Sequence, residues 1–178
     1  YLFPRAHAVA YVMMAFRIAW FKVYHPLAFY AAYFSIRAKA FDLRIMTGDL
    51  KTQLTEFNRI KALDRAASPK DKDLMSALEV SMEMYQRGYR FINVDIQHSE
   101  ARRFSIKDGA LLPPFLAIDS LGETVADAIV EERNERPFTS LKDLQRRCKV
   151  SNTIIDLMKE LKCCGELPED EQMSLFGA

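Results

Sequence analysis

Residues 115–147 read FLAIDSLGETVADAIVEERNERPFTSLKDLQRR. Phe115, Leu116 and Ile118 form an apolar run, Ser120-Leu121-Gly122 interrupts it, and Val125, Ala126, Ile129 and Val130 then recur at the spacing that buries one helix face. A helix is therefore expected over 123–136, joined to the preceding apolar segment by a tight turn. Gly122 suits that turn because it lacks a Cβ, so the backbone can bend sharply and come close to a neighbouring group. Leu121 is expected to plug the core between the helices, and the small Ala126 to let them pack closely. The N–H groups that open the second helix have no partner within it and can donate to an anion. Further helices are expected over 140–147 and 151–163.

Working outward, residues 89–96 and 102–106 alternate apolar with polar side chains, and Lys107-Asp108-Gly109 carries turn chemistry, so short strands are expected there. Pro113-Pro114 ends any such strand. Residues 6–24 are dense in alanine, methionine and aromatics, with Tyr11, Met14, Ile18 and Phe21 or Lys22 at helical spacing, which predicts a buried helix. His25-Pro26 breaks it, because proline disfavours a helical residue before it yet suits the first turn of a new helix. The second helix is expected over 26–39, with His25 capping the end of the first. Asp49 caps a helix to about residue 66, Ser68-Pro69 opens another, and Gly88 closes it. The expected fold class is mainly α with a small β element. A helical segment occupies 1–88, a domain with short antiparallel strands at its start occupies 89–165, and an acidic, flexible tail occupies 166–178.

The 178 residues are 49% hydrophobic and 28% charged, enough apolar material for one or two small cores. The net charge of +1 hides an uneven distribution. Through residue 43, Arg5, Arg17, Lys22, Arg37 and Lys39 face only Asp42, whereas Glu166, Glu169, Asp170 and Glu171 follow Gly165 with no base among them. The first end can attract phosphate and the last cannot. Arg17, Lys22 and His25 interrupt the longest apolar stretches, so none is expected to reach the roughly 20 residues of a bilayer span. Cys148, Cys163 and Cys164 offer neither a disulfide framework nor tetrahedral zinc spacing, so no metal site is expected and a reducing, cytoplasmic setting fits. The chain opens on Tyr1 without a basic n-region, which is expected of a piece of a longer protein without a signal peptide.

The turn and its flanking helices resemble the helix-hairpin-helix motif. On that resemblance, Ser120, Leu121, Gly122, Glu123 and Thr124 lie against duplex DNA and hold phosphates without reading bases. The family pattern is glycine-hydrophobic-glycine, and Ser120 stands in the first place. Asp119, Glu123 and Asp127 place negative charge nearby. Val150, Ile154, Ile155, Leu157, Leu161 and Gly165-Glu166-Leu167 resemble the partner hairpin of a tandem module; lacking a glycine-bearing loop, this copy is expected to pack rather than to bind. Gln172-Met173-Ser174-Leu175-Phe176 resembles the peptide by which bacterial proteins dock on the sliding clamp, with Leu175 and Phe176 filling an apolar pocket and Gln172 hydrogen-bonding at its edge.

Phe3-Pro4-Arg5-Ala6-His7-Ala8, Ala10-Tyr11 and Ala19-Trp20-Phe21-Lys22-Val23-Tyr24-His25-Pro26 resemble the fingers region of bacterial C-family replicative polymerases. Gly88-Tyr89-Arg90, the strands, the hairpin module and the final peptide follow in the same order. The resemblance therefore covers essentially the whole chain, and it is nearest to the PolC type of DNA polymerase III alpha subunit. It implies that residues 1–88 complete the fingers, with Arg5 and His7 toward the triphosphate of an incoming dNTP. Lys22 is a further nucleotide-binding candidate or equally a paired structural charge. The implied partners are primer-template duplex DNA, the dNTP, the beta sliding clamp and the remainder of the polymerase chain, with no membrane. Polymerisation needs carboxylates that hold magnesium, and the nearly acid-free amino-terminal block has no such cluster. The catalytic residues and the magnesium are thus expected elsewhere in the parent polymerase, and this chain alone is expected to be inactive. An alternative is a stand-alone helix-hairpin-helix DNA-binding or repair adaptor that docks on the clamp, and a third reading is a helical interaction domain with no nucleic-acid role.

Overall fold

The computed structural model describes residues 4–170. Helix α1, Arg5–Tyr24, ends where the His25 N–H donates to the Phe21 carbonyl at 2.8 Å, so His25 occupies the C-cap position. No residue of α1 is buried. The buried helix expected from its spacing is corrected on this point: α1 is apolar around its circumference and no described residue packs over it closely enough to bury a side chain. Its 20 residues and hydropathy of 1.2 also meet the length and apolarity of a bilayer span, contrary to expectation, although Arg17 lies within that length.

Pro26 then opens α2, Pro26–Ala32, which widens into a π-helical turn over Tyr33–Arg37 instead of continuing as α-helix to residue 39. A short helix α3, Leu43–Met46, is capped by the Asp42 carboxylate. Helix α4, Leu50–Leu63, starts as expected at Asp49, whose carboxylate accepts the Thr52 N–H at 2.8 Å. Helix α5, Pro69–Gln86, starts at a capping box of Ser68 and Asp71. Gly88, at φ +85, turns the chain away. Inside the α4–α5 hairpin the buried Ser81 hydroxyl donates to Gln53 at 2.6 Å, and Gln53 in turn donates to the Met46 carbonyl.

The strands are shorter than their alternation suggested. β1, Ser105–Lys107, pairs antiparallel with β2, Ala110–Leu112, around Asp108-Gly109, with Ile106 opposite Leu111. Residues 89–96 do not form a strand; they contribute one parallel bridge, Phe91 to Leu111. The reason is local competition. Asn93 takes the Val94 N–H, Ser99 takes the Asp95 N–H, Asp95 in turn takes the Gln97 N–H, and these short polar side chains bend the backbone out of a ladder.

Two buried clusters organise the chain. One gathers Tyr30, Phe34, Met46, Ile60, Leu78 and Met84 with Phe91 and Leu111, so the β element joins the helical segment. Phe34, Phe41, Phe91 and Phe104 meet there at 4.9–6.2 Å between ring centroids. The other cluster holds the hairpin region: a 3₁₀ turn at Phe115–Ala117, then α6 (Glu123–Glu135), α7 (Leu141–Cys148) and α8 (Asn152–Glu160) around Ile118, Leu121, Ala126, Ile129, Leu144 and Met158. Leu121 and Ala126 are buried as expected. The left-handed backbone position of the turn is Ser120, at φ 63, whereas Gly122 has an ordinary φ of −75. The turn's conformational demand thus falls on the serine.

Asp143 ties these helices together. Its buried carboxylate accepts from Arg146 at 2.8 Å, Arg147 at 3.2 Å, the Thr139 N–H at 3.3 Å and Arg136 at 3.4 Å. Arg147 also reaches Glu132 on α6 at 2.9 Å and lies 4.7 Å over the Phe138 ring. Burial pushes the Asp143 carboxyl up, but the Thr139 N–H and the guanidinium groups outweigh it and hold the group below its ordinary value. Residues 166–170, expected to be loose, are strapped down. The Leu141 and Lys142 N–H groups that open α7 donate to the carbonyls of Pro168 and Glu169, and Lys159 and Lys142 pair with Glu169 and Asp170.

Two outcomes follow. Asp143→Asn should cost about 3 kcal/mol in denaturant unfolding at neutral pH, because it removes the charge that three guanidinium groups surround. A carboxylate whose folded pKa is lowered stabilises fully above its unfolded value of about 3.9 and loses that effect as pH falls through the folded value. The gap between wild type and variant should therefore close in acid, and a pH-independent gap contradicts this role. Ser120→Gly should raise stability by about 0.5–1 kcal/mol by relieving the left-handed side chain; a loss of that size would mean that the Ser120 side chain is itself held in place.

Candidate nucleic-acid interface

The hairpin turn presents Ser120, Gly122, Glu123 and Thr124 to solvent while Leu121, at 4% exposure, anchors it from beneath. Helix α6 differs from the other helices that follow residue 40. Asp42, Asp49, Ser68, Ser140 and Ser151 each cap their helix with a side-chain acceptor, whereas Gly122 precedes α6 with none. The opening N–H groups of α6 therefore face outward without a side-chain acceptor, at the positive end of the helix dipole. A Cβ built at Gly122 meets nothing within 4 Å. The chain's own packing does not require glycine there; the open space in front of the helix does, if a ligand is to approach the backbone closely.

The turn's electrostatics depend on a residue that sequence reasoning passed over. Glu123 and Asp127, one helical turn apart on α6, both pair with Arg102, which lies half-exposed beside them. Arg102 forks onto both oxygens of Asp127, and its hydrogen bond holds the Asp127 carboxyl below its ordinary value. In sequence Arg102 is one of two adjacent bases, and its pairing across 25 residues with α6 leaves no mark there.

The second hairpin repeats the turn geometry of the first. Lys149, at φ 54, stands where Ser120 stands, Val150 is buried like Leu121, and Ser151 precedes α8 with φ −71 and ψ 156, against −75 and 157 at Gly122. The glycine-free loop does not prevent the turn, because lysine itself adopts the left-handed conformation. The copies differ at the cap: the Ser151 hydroxyl occupies the Ile154 N–H.

The structure does not bring Arg5, His7 and Lys22 together. Arg5 and His7 are exposed near the start of α1, and Lys22 lies 17 residues beyond Arg5 on the same helix, roughly 25 Å along its axis. Lys22 is engaged elsewhere, paired with Glu83 at 3.0 Å and 5.3 Å from the Phe29 ring. Tyr30 donates to the same Glu83 at 2.7 Å, and Arg87 donates to the Tyr30 hydroxyl and the Lys22 carbonyl. Burial first, and then the bond to Glu83, push the Tyr30 hydroxyl up to about 12. Of the two roles open to Lys22, the paired structural charge is the one its surroundings support. Gln172, Met173, Ser174, Leu175 and Phe176 lie outside the described residues. Among the described residues, no three His, Cys, Asp or Glu side chains gather as a metal-holding group.

Comparison with known proteins agrees with this geometry. A family model described as a helix-hairpin-helix motif matches residues 88–172. The chain is 47% identical over 176 residues to a protein named DNA polymerase III PolC-type from Caldanaerobacter subterraneus subsp. tengcongensis, covering 99% of the chain and 13% of that relative. Proteins of the same name from Streptococcus pyogenes and Streptococcus suis match at 46% over 179 residues and 47% over 178 residues, in each case 99% of the chain and 12% of the relative. The chain thus spans about an eighth of the length of the curated relatives it matches. Identity this high, running through the whole chain and including a matched hairpin motif, means that the chain belongs to the PolC-type DNA polymerase III family, of which it represents one segment.

Proposed function

We propose that this chain is a carboxy-terminal, duplex-holding part of a bacterial replicative DNA-directed DNA polymerase working in the cytoplasm. The observation that carries the reading is the uncapped α6 behind the Ser120-Leu121-Gly122 turn, within a matched helix-hairpin-helix motif. Its N–H groups at Glu123 and Thr124 donate to phosphate oxygens, and the Thr124 hydroxyl adds a further donor. Such contacts are indifferent to base sequence, as a replicative enzyme requires. Holding the product duplex keeps the primer end in place between additions.

The remaining roles rest on the resemblance of the amino-terminal block and of the final peptide. Arg5 and His7 reach the triphosphate of the incoming dNTP, where cationic groups offset charge building on the leaving pyrophosphate. The magnesium-holding carboxylates belong to another part of the polymerase chain, so this segment adds no nucleotides alone. The apolar surface of α1, with Tyr11, Phe16 and Val23 at 68%, 72% and 62% exposure, packs against the remainder of that chain rather than against lipid. An exposed surface of this kind also counts against the free-standing adaptor, which would have to keep it in water. Gln172, Leu175 and Phe176 dock on the sliding clamp, adding a second attachment that raises the time spent on DNA.

Gly122→Leu should change unfolding stability by no more than about 1 kcal/mol, the scale of an altered N-cap, while weakening duplex binding at least about tenfold by blocking phosphate approach. Full duplex affinity in that variant would remove the hairpin from the interface. Leu175→Ala with Phe176→Ala should abolish binding to purified clamp and leave duplex affinity unchanged, and undiminished clamp binding would reject the tail as the docking peptide.

A further inference from the structure

The hairpin carries an apparent contradiction: Glu123 and Asp127 sit on the first turns of the helix whose N-terminus is to receive phosphate. Two carboxylates there oppose a polyanion that carries one charge per roughly 1.7 Å of duplex axis. Arg102 resolves it. The backbone on its amino-terminal side is pinned to the entry of the hairpin, since the Phe115 N–H donates to Glu100 at 2.9 Å and the Leu116 N–H to Ala101 at 3.0 Å. Just upstream, the buried Ser99 hydroxyl donates to Pro113 at 2.8 Å. From this fixed base the Arg102 side chain crosses to α6, forks onto Asp127 and reaches Glu123.

We infer that Arg102 is a positioning residue for duplex binding: it offsets one of the two negative charges that Glu123 and Asp127 place beside the α6 N-terminus and draws both carboxylates onto itself, so that a phosphate can approach the hairpin's N–H groups. The inference rests on the duplex-holding reading of that hairpin. The fork geometry suits arginine and not lysine, whose single ammonium cannot engage both oxygens of Asp127 and Glu123 together. Arg102 therefore acts through the two carboxylates and is not a phosphate ligand of its own. The size of the effect is bounded by the exposure of the cluster: a half-exposed charge group is worth about fivefold in an equilibrium, and less as salt screens it.

The test is a mutant cycle read by fluorescence anisotropy on a labelled duplex of mixed sequence at low ionic strength. Arg102→Ala should weaken binding about fivefold. In the background of Glu123→Gln with Asp127→Asn, which leaves nothing to neutralise, Arg102→Ala should have no effect. Arg102→Lys should fall between wild type and alanine. An equal loss from Arg102→Ala in both backgrounds would make Arg102 a direct phosphate ligand and overturn the inference, as would no loss in either. Thermal unfolding separates binding from folding; if the alanine chain is unfolded, Arg102→Gln replaces it in the same cycle with the same outcomes. A wild-type chain that does not bind the duplex at all removes the duplex-holding reading, and this inference with it, whereas wild-type binding with an uncoupled cycle overturns this inference alone.

Discussion

A carboxylate placed in an apolar interior must be surrounded by donors, and in this chain the requirement falls on Asp143. Its 1% exposure leaves it no water to rely on, so Thr139, Arg136, Arg146 and Arg147 supply the donors. Arg147 continues from Asp143 to Glu132, and this carries α6 and α7 into one arrangement. The orientation of the first hairpin relative to the second therefore depends on a polar network rather than on apolar packing alone. Ser140 and the strap at Pro168 and Glu169 complete it by occupying the free N–H groups that open α7.

Within that frame the first hairpin turn is defined by what is left unfilled. Five other helix starts in the described residues spend a serine or aspartate side chain on their own N–H groups. Helix α6 has glycine at this place and keeps its donors available. The second hairpin has the same backbone bend but a serine cap, so the two copies share a scaffold and differ in what their helix ends can still bind. Left-handed backbone at Ser120 and Lys149 shows that the bend itself does not need glycine. The glycine that matters is Gly122, through the space it leaves open.

Features written in neighbouring residues were legible in the sequence. The Asp49 cap, the helix start at Ser68-Pro69, the Gly88 stop, the Asp108-Gly109 turn and the buried Leu121 and Ala126 each depend on a few adjacent positions. What escaped depends on partners distant in the chain. The spacing in α1 predicts a stripe to bury but not whether anything covers it. Alternation over 89–96 predicts a strand, yet the Asn93 and Ser99 side chains take the Val94 and Asp95 N–H groups. The strap over 166–170 needs Lys142 and Lys159 to come alongside, and the pairing of Lys22 with Glu83 needs α5 folded against α1. Arg102 is the sharpest case: a plain surface arginine in sequence, it joins Glu123 and Asp127 only when α6 is set beside it.

The central claim is that the hairpin region holds duplex through phosphates and not through bases. The most direct measurement is the affinity of the chain for several duplexes of unrelated sequence over a range of salt concentrations. The account predicts near-equal affinities and a linear fall of log affinity with log salt, at a slope of about −0.9 for each phosphate neutralised. Binding that ignores salt, or that prefers one sequence strongly over the others, would contradict it.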